Sequence, residues 1–360
     1  MKLAIVHDYL NQFGGAERVV EVLHEIFPEA PIYTSIYDKE AMPDSFETMD
    51  IRTSFMQNLP GVMKHFRKYL IFYPFAFERF DLKTYDLILS SSSAWAKGIK
   101  KRSDALHICY CYTPMRFAWM YETYIEREEF GPIIRFILPG IIQRIKMWDI
   151  RTSGGVDYFI AISKAVAERI KKFYGRDSTI IYPPIDTSKF KLRAVDKDYY
   201  LIVSRLNPYK RIDIAVEAFN KLKQPLKIIG QGPDLKRLKK MAGSNIEFVG
   251  KVSDEKLAQY YGECKALIFP GEEDFGITPL EANSAGRPVV AYKAGGALDT
   301  VIGGETGIFF EKQTPESLAQ AIERFEKIRF NKDRIREHAL KFGKEVFKTK
   351  IKKFVEEKLK

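Results

Sequence analysis

Residues 266–281 of the chain read ALIFPGEEDFGITPLE. A short apolar run ends at Pro270, a loop with three consecutive acids follows, and Thr278-Pro279 is typical of the first turn of a helix. Glu281 then falls at the third helical position, so Thr278 and Glu281 match a capping box. The stretch therefore predicts a β-strand, a loop at the carboxyl end of that strand, and an α-helix.

The same alternation of strand and helix extends through both halves of the chain. In the second half YYLIVSRL (199–206) precedes the amphipathic RIDIAVEAFNKL (211–222), and in the first half LAIVH (3–7) precedes AERVVEVLHEIF (16–27). Short apolar strands that alternate with amphipathic helices are typical of a parallel sheet with helices on both faces. We therefore predict an α/β fold with two Rossmann-like, doubly wound domains that face a central cleft and bind ligands at the carboxyl ends of their strands.

The domain boundaries follow from proline and polar residues. The stretch 181–198 contains Pro183-Pro184 and then mostly polar residues, which favours a break in regular structure. We expect a first domain, a linker, a second domain and a final helix that returns to the first domain, over 1–185, 186–198, 199–343 and 344–360 respectively.

The composition restricts the class of protein. The 360 residues are 46% hydrophobic and carry a formal net charge of +11, which favours a folded protein with polyanionic partners. Three cysteines are consistent with reduced thiols and a cytoplasmic setting. The first apolar run is too short to be expected as a signal peptide, and no apolar run is long enough to cross a bilayer. The sequence has no G-x-G-x-x-G, P-loop or zinc-type motif. A nucleic-acid-binding motif is also missing, so no nucleic-acid partner is expected.

The acids at the centre of the first stretch have a chemical explanation. Helix N-termini attract anions through unpaired N–H groups and the macrodipole, and Glu272, Glu273 and Asp274 stand beside such a site. Gly276 allows the backbone to approach a ligand closely. A sugar nucleotide would use both features, with its phosphates at the helix start and its hydroxyls on the carboxylates. The alternative for Glu281 is a capping role alone.

A second loop adds two cations. SRLNPYKR (204–211) follows the first strand of the second domain and places Arg205 and Lys210 five residues apart across a turn. Two cations at a sheet edge are suited to neutralise a departing diphosphate. A solvated basic turn is the commoner arrangement for such residues, and the neighbouring acidic loop favours the functional interpretation.

Together these motifs resemble the retaining glycosyltransferases of family 4. The resemblance implies the GT-B fold, with an acceptor-binding first domain and a second domain that binds the nucleotide sugar. It is greatest to bacterial and archaeal mannosyltransferases that build surface polysaccharides from GDP-mannose. The stretches that carry it are SRLNPYKR, GQGPDL (230–235), the Glu273-x7-Glu281 spacing, GGAER (14–18), YTPMRFAW (112–119), FIAISKAVAERI (159–170) and IIYPPID (180–186).

The resemblance also implies roles for single residues. Glu273 would contact the transferred sugar, and Glu281 would bind the ribose. Arg205 and Lys210 would hold the diphosphate, so Glu273, Arg205 and Lys210 are the expected catalytic residues. The remaining donor contacts would come from the Gly14-Gly15 pair of the first loop and from the backbone of Phe275, Gly276, Ile277 and Thr278.

One position departs from the family. Relatives usually carry a histidine in the motif that reads CYTPMR here, where this chain has Tyr112. A tyrosine can donate a hydrogen bond, but it is not an acid or base near neutral pH. Tyr112 and Arg116 are expected as substrate-binding residues. His7, at the end of the first strand beside Asp8, is a further candidate for substrate binding, with a structural role as the alternative. His107 lies within an apolar strand and is expected in the core.

The expected reaction needs neither a metal nor another cofactor. No carboxylate can be assigned as a covalent nucleophile, which favours front-face attack by the acceptor. DKD (196–198) has the form of a metal–nucleotide motif, but it precedes a strand and is interpreted as solvated linker. Two alternatives stay open: a sugar-nucleotide epimerase of the same fold, and a nonenzymatic basic module that binds nucleic acid or membrane.

Two segments indicate contact with an anionic membrane surface. Residues 130–148 mix isoleucines with Arg135 and Arg144, and MKHFRKYLIFYPF (63–75) is basic and aromatic. Such segments can place cations at head groups and apolar side chains in the interface, near a glycan or lipid-linked acceptor. This predicts a peripheral position on the inner face of the cell membrane. The alternative for 130–148 is a buried helix pair in the first domain.

Overall fold

The computed structural model describes residues 1–120, 132–193 and 196–359. The chain divides into two units, Met1–Pro183 together with Lys348–Lys360, and Pro184–Phe347. The stretch 186–198, expected as a linker, falls in the second unit, where Phe190 is buried. In the same stretch Asp196 forms an ion pair of 2.6 Å with the buried Arg287.

Within its described residues, the first unit is built on a parallel sheet with the strand order β3-β2-β1-β4-β5-β6-β7. Its strands are β1 Leu3–His7, β2 Ile32–Thr34, β3 Ile51–Thr53, β4 Leu87–Ser92, β5 Leu106–Cys111, β6 Tyr158–Ala161 and β7 Ser178–Ile180. Its helices are α1 Gly15–Ile26, α2 Val62–His65, α3 Tyr73–Glu78, α4 Arg116–Trp119, α5 Pro132–Ser153 and α6 Lys164–Tyr174. Short 3-10 helices lie at Lys39–Ala41, Asp44–Phe46, Phe55–Asn58, Phe66–Tyr69 and Ala96–Gly98.

The second unit repeats the plan with the strand order β10-β9-β8-β11-β12-β13 among its described residues. Its strands are β8 Tyr200–Val203, β9 Leu226–Ile229, β10 Ile246–Gly250, β11 Leu267–Phe269, β12 Val289–Tyr292 and β13 Gly307–Phe310. Its helices are α7 Ile212–Leu222, α8 Leu235–Met241, α9 Asp254–Glu263, α10 Ile277–Ser284, α11 Ala297–Thr300, α12 Pro315–Phe325 and α13 Lys332–Leu340, with a 3-10 helix at Pro208–Lys210. The last helix, α14 Lys344–Leu359, begins in the second unit, and its residues from Lys348 onward belong to the first.

Both faces of the second sheet are covered, as the near-continuous apolar strands require. Side chains alternate along β8, so Tyr200 and Ile202 pack in one hydrophobic core and Leu201 packs in the other. All strand pairs in both sheets are parallel. The prediction of an α/β fold with two Rossmann-like domains is confirmed.

The segment 130–148 forms part of one helix, α5, with Pro139 inside it. Residues 130 and 131 and the side chains of 132–136, Arg135 included, lie outside the described residues. Further along the helix, Ile142, Ile145 and Trp148 are buried in the core of the first unit, which supports the core alternative for this part. Among the described residues, no helix combines the length and apolar character needed to span a bilayer.

Candidate functional site

The strand order of the second unit creates a switch point between β8 and β11. These strands are neighbours, but the chain continues from β8 to β9 on one side and from β11 to β12 on the other. The loops that leave β8 and β11 therefore begin at the same sheet edge and diverge. In open α/β sheets a crevice that binds ligands forms at this place. The sequence predicted loops at 204–211 and 271–278 here, and in the structure the second of them ends at Gly276, before α10.

The structure brings Lys210 and Glu273 together at this switch point. The Lys210 Nζ lies 2.5 Å from a Glu273 carboxylate oxygen, and the two side chains are 12% and 24% exposed. The loops touch through their backbones, because a Cβ at Gly271 would lie 2.8 Å from the Lys210 carbonyl oxygen. A side chain at Gly271 would therefore push the loops apart, and with them the ion pair.

Arg205 lies in the same loop but in a different environment. Its side chain is exposed, and within the described part of the chain its guanidinium has no ion-pair or hydrogen-bond partner. Lys210 is therefore held in place by a carboxylate, whereas Arg205 is available to an anion at the sheet edge.

A glutamine far along the chain ties the two loops together. The Gln313 side-chain amide donates a hydrogen bond of 3.0 Å to the Pro270 carbonyl oxygen, and the Arg211 guanidinium donates one of 3.2 Å to the Gln313 amide oxygen. Arg211 has a positive φ of 54°, which is uncommon for a residue with a Cβ. Local strain of this kind persists where surrounding contacts impose it. The sequence contains no local sign of this link.

The helix after the acidic loop begins earlier than predicted. α10 begins at Ile277, and its N-cap is Gly276, whose φ of 92° favours glycine. Thr278 and Glu281 are thus the second and fifth helical positions, and the predicted capping box is wrong. The N-cap is a glycine and so has no side chain of its own to cap the helix start. N–H groups at such a helix start are suited to an anion.

Glu281 instead lies inside the second unit. It is 5% exposed and accepts a hydrogen bond of 2.8 Å from the Tyr261 hydroxyl. Phe275 and Gly276 are buried in front of the helix, and Thr278 is half-buried. The contact of Glu281 with a ribose stays a prediction.

The acidic loop rests on a glycine turn that the sequence reading did not identify. Gly296 donates its N–H to the Glu273 carbonyl oxygen at 2.8 Å. A Cβ at the preceding Gly295 would lie 2.4 Å from that same oxygen. The sequence does contain a sign of this turn, because the pair Gly295-Gly296 comes two residues after the strand PVVAY (288–292), at the edge where ligand loops are expected.

In the first unit the Gly14-Gly15 pair also lies at a helix start. Gly14 is the N-cap of α1, and its N–H donates a hydrogen bond of 2.8 Å to a Glu17 carboxylate oxygen. Glu17 is 3% exposed. The Gly14 N–H therefore already has a buried carboxylate as its partner, and the approach of this loop to phosphates stays a prediction.

His7 ends β1 and belongs to the same buried group. Its Nδ1 lies 3.1 Å from both the carbonyl and hydroxyl oxygens of Ser91, and its Nε2 lies 3.8 Å from Glu17. The next residue, Asp8, has a structural function. Its carboxylate accepts hydrogen bonds from the Ser93 hydroxyl and from the backbone N–H groups of residues 93–96.

Tyr112, the residue directly after β5, also belongs to this group. Its hydroxyl donates to the Ala16 carbonyl oxygen at 3.0 Å and lies 2.8 Å from the Ser91 hydroxyl. Burial raises the pKa of the Tyr112 phenol well above its usual range. Arg116 is half-buried at the start of α4. The prediction that His107 is a core residue is confirmed, because it is fully buried and burial lowers its pKa to about 4.

The described residues contain no cluster of three or more histidine, cysteine or acidic side chains with the geometry of a metal site.

Comparisons with known proteins define the family. A model described as Glycosyltransferase Family 4 matches residues 13–189, and one described as Glycosyl transferases group 1 matches residues 184–345. An uncharacterized glycosyltransferase of Methanocaldococcus jannaschii is 27% identical over 171 residues, 46% of this chain. The match spans about half of that relative's length, 48%.

Two further proteins match over more of the chain. The GDP-mannose-dependent alpha-(1-6)-phosphatidylinositol monomannoside mannosyltransferase of Mycolicibacterium smegmatis is 25% identical, over 89% of this chain and 87% of that protein. The structure of HepE from Anabaena in complex with UDP has a TM-score of 0.75 at 17% identity, over 99% of this chain and 100% of that chain. At this identity the likeness to HepE concerns the fold alone.

Two parallel-sheet, Rossmann-like domains in one chain define the GT-B class of fold. Because the two family matches together span residues 13–345, the chain belongs to the family 4 glycosyltransferases.

Proposed function

We propose that this protein transfers a sugar from a nucleotide-sugar donor to an acceptor. The observation that carries the proposal is the Lys210–Glu273 ion pair at the switch point of the second sheet, beside the start of α10, whose N-cap is Gly276. A carboxylate, cations and the N–H groups of a helix start in one place provide a partner for each part of a nucleotide sugar. The carboxylate suits sugar hydroxyls, and the cations and N–H groups suit the diphosphate.

The donor we propose is GDP-mannose, and the acceptor is a glycan or a lipid-linked glycan. The support for mannose is the relative from Mycolicibacterium smegmatis, whose description names a GDP-mannose-dependent mannosyltransferase and which matches most of the chain. We also propose that the first unit binds the acceptor and that the configuration at the sugar's anomeric carbon is retained.

The proposed reaction needs no covalent intermediate with the protein. The bond between the anomeric carbon and the diphosphate oxygen breaks, and the acceptor oxygen forms a bond to that carbon from the same face. The acceptor hydroxyl gives its proton to an oxygen of the departing diphosphate. Arg205, Lys210 and the N–H groups at the start of α10 stabilise the charge that develops on the diphosphate. Glu273 orients the sugar and holds Lys210.

A panel of nucleotide sugars tests this function by thermal shift. A ligand present at 100 times its Kd stabilises the folded state by about 2.7 kcal/mol, so the true donor should raise the Tm most. We expect GDP-mannose to give the largest rise, followed by transfer of mannose when an acceptor is added. Stabilisation by none of the panel would contradict the proposal. An epimerised nucleotide sugar formed from donor alone would indicate the epimerase instead.

EDTA is expected to leave sugar transfer within about twofold of its untreated rate, well under 1 kcal/mol of barrier. The reason is that Arg205 and Lys210 supply the positive charge that a bound divalent cation would otherwise bring to the diphosphate. The rate is measured before and after EDTA treatment and again after Mg²⁺ or Mn²⁺ is added. Full inhibition that the metal reverses would contradict this prediction and would make DKD at 196–198 the candidate metal-binding motif.

Gln313→Ala is expected to lower kcat/KM about fivefold, because one net hydrogen bond is worth about 1 kcal/mol and the Pro270 loop would lose its tie to Arg211. Since the reacting geometry and not the fold is affected, kcat should fall while the Tm stays near that of the unmodified protein. The matched control is Gln259→Ala, which removes a hydrogen bond to Glu263 on α9. A fall in Tm without a fall in kcat would show that Gln313 is only structural.

A further inference from the structure

Helix α3 is apolar on two opposite sides. Tyr73, Ala76 and Phe77 are buried in the core of the first unit. On the other side Phe75 is 58% exposed, and Ile71 immediately before the helix is 53% exposed. A surface helix normally has charged or polar residues on its outer face. The outer face of α3 is therefore unusual and needs a separate explanation.

The exposed apolar side chains continue beyond α3. Phe72, at the N-cap of the helix, is 37% exposed, and Phe55 is 39% exposed. The Arg79 guanidinium at the other end of the helix lies 5.9 Å from the centre of the Phe55 ring. Phe75 and Arg79 are four residues apart, and so are Ile71 and Phe75, so they lie on one side. We call these residues the aromatic patch: Phe55, Ile71, Phe72 and Phe75.

Positive charge surrounds the aromatic patch. Lys64, Arg67, Lys68 and Arg79 are all exposed, and within the described residues none of them forms an ion pair. The neighbouring acid, Glu78, is already bound to Trp148, Lys100 and Arg151 on the adjoining surface. The surroundings of the patch therefore carry an uncompensated positive charge.

We propose that the aromatic patch and its basic border dock the first unit on an anionic lipid membrane. Aromatic and aliphatic side chains enter the interface between head groups and acyl chains, and lysine and arginine bind the anionic head groups. A second copy of the chain fits less well, because two basic borders would meet and repel each other. Nucleic acid would use the cations but would gain nothing from the exposed Ile71. The proposal is independent of the transfer reaction.

Sedimentation with lipid vesicles tests the docking without donor or acceptor. Vesicles of phosphatidylcholine alone are compared with vesicles that contain about one third phosphatidylglycerol. We expect the protein to pellet with the anionic vesicles at low salt, and to remain in the supernatant with neutral vesicles or at about 0.5 M salt, where screening is strong. Failure to pellet with anionic vesicles at low salt would overturn the proposal.

Two pairs of substitutions separate the apolar and charged contributions. Ile71→Ser with Phe75→Ser removes the exposed apolar side chains, and Arg67→Glu with Lys68→Glu reverses the border. Each pair is expected to lower the fraction bound at least fivefold, with the Tm unchanged because the replaced side chains are exposed. Phe75→Ser alone is the milder variant if the double change lowers the Tm.

The matched control is Lys352→Glu with Lys353→Glu, two exposed residues on α14 with the same change in net charge. It should bind vesicles as the unmodified protein does. An equal loss in this control would show that net charge, and not the patch, drives binding. Tighter binding to DNA than to anionic vesicles, lost in the border variant, would assign the surface to nucleic acid and overturn the membrane proposal.

Discussion

Glu273→Gln is expected to lower kcat by at least about 100-fold, on the order of 2.7 kcal/mol of barrier, in a protein that stays folded. Glutamine has nearly the size of glutamate but no charge, so it can neither hold the Lys210 ammonium at 2.5 Å nor balance positive charge that develops on the sugar. The side chain is about a quarter exposed, and such ion pairs contribute about 1 kcal/mol or less to stability. The measurements are kcat with the best donor of the panel and the Tm.

The control for this variant is an ion pair at the same sheet edge. Glu311 and Lys293 follow β13 and β12, and their charged atoms lie 2.8 Å apart. Glu311→Gln removes the same charge and should keep kcat within about twofold. If Glu273→Gln retained activity within about threefold of the unmodified protein, the carboxylate would have no role in the reaction, and the proposed mechanism would lose its sugar contact.

The sequence predicted the two sheets because the apolar pattern of a buried strand lies within a few consecutive residues. Runs such as LAIVH (3–7) contain enough apolar residues in succession to be covered on both faces, and β1 is buried along its whole length. The ends of such runs also locate the carboxyl edge of each sheet. The positions of Lys210 and Glu273 near one another followed from the strand pattern and the rule that ligands bind at that edge.

The predicted start of the helix was wrong because the local capping pattern did not decide where the helix begins. Thr278-Pro279 matches the preferred residues for an N-cap and a first helical position, and Glu281 completed the pattern. The chain instead begins the helix two residues after Asp274-Phe275, because Gly276 adopts a φ of 92° and Phe275 is buried. Burial of an aromatic ring is a tertiary effect that capping preferences do not contain.

Other contacts at the site join residues far apart in the chain. Gln313 binds Pro270 across 43 positions, and Tyr261 binds Glu281 across 20. Neither separation matches a helix, turn or capping pattern, so the sequence alone does not indicate either contact. Glu17 could have been read as the partner of Gly14, since an acid three residues after an N-cap commonly binds its N–H. That interpretation would have predicted that the Gly14 N–H already donates a hydrogen bond to Glu17.

Lys210→Ala is expected to lower kcat at least about 100-fold, and Arg205→Ala somewhat less, about 30-fold. In the proposed mechanism both changes remove a cation from the diphosphate. Lys210→Ala also removes the ion-pair partner of the Glu273 carboxylate, so in that mechanism an unbalanced negative charge would face the incoming phosphates. Lys293→Ala removes a cation after the neighbouring strand and serves as the control, with kcat expected within about twofold of the unmodified protein.

The double variant Lys210→Ala with Glu273→Gln distinguishes a coupled pair from two separate residues. If the ion pair acts as a unit, removing the second partner after the first costs little, and the double variant should be no slower than the worse single variant by more than about fivefold. Independent roles would multiply the two losses to about 10,000-fold, close to 5.4 kcal/mol. The pair is close enough to couple, since its charged atoms are 2.5 Å apart. A multiplied loss would mean that Lys210 acts on the diphosphate alone and that its contact with Glu273 has no part in the reaction.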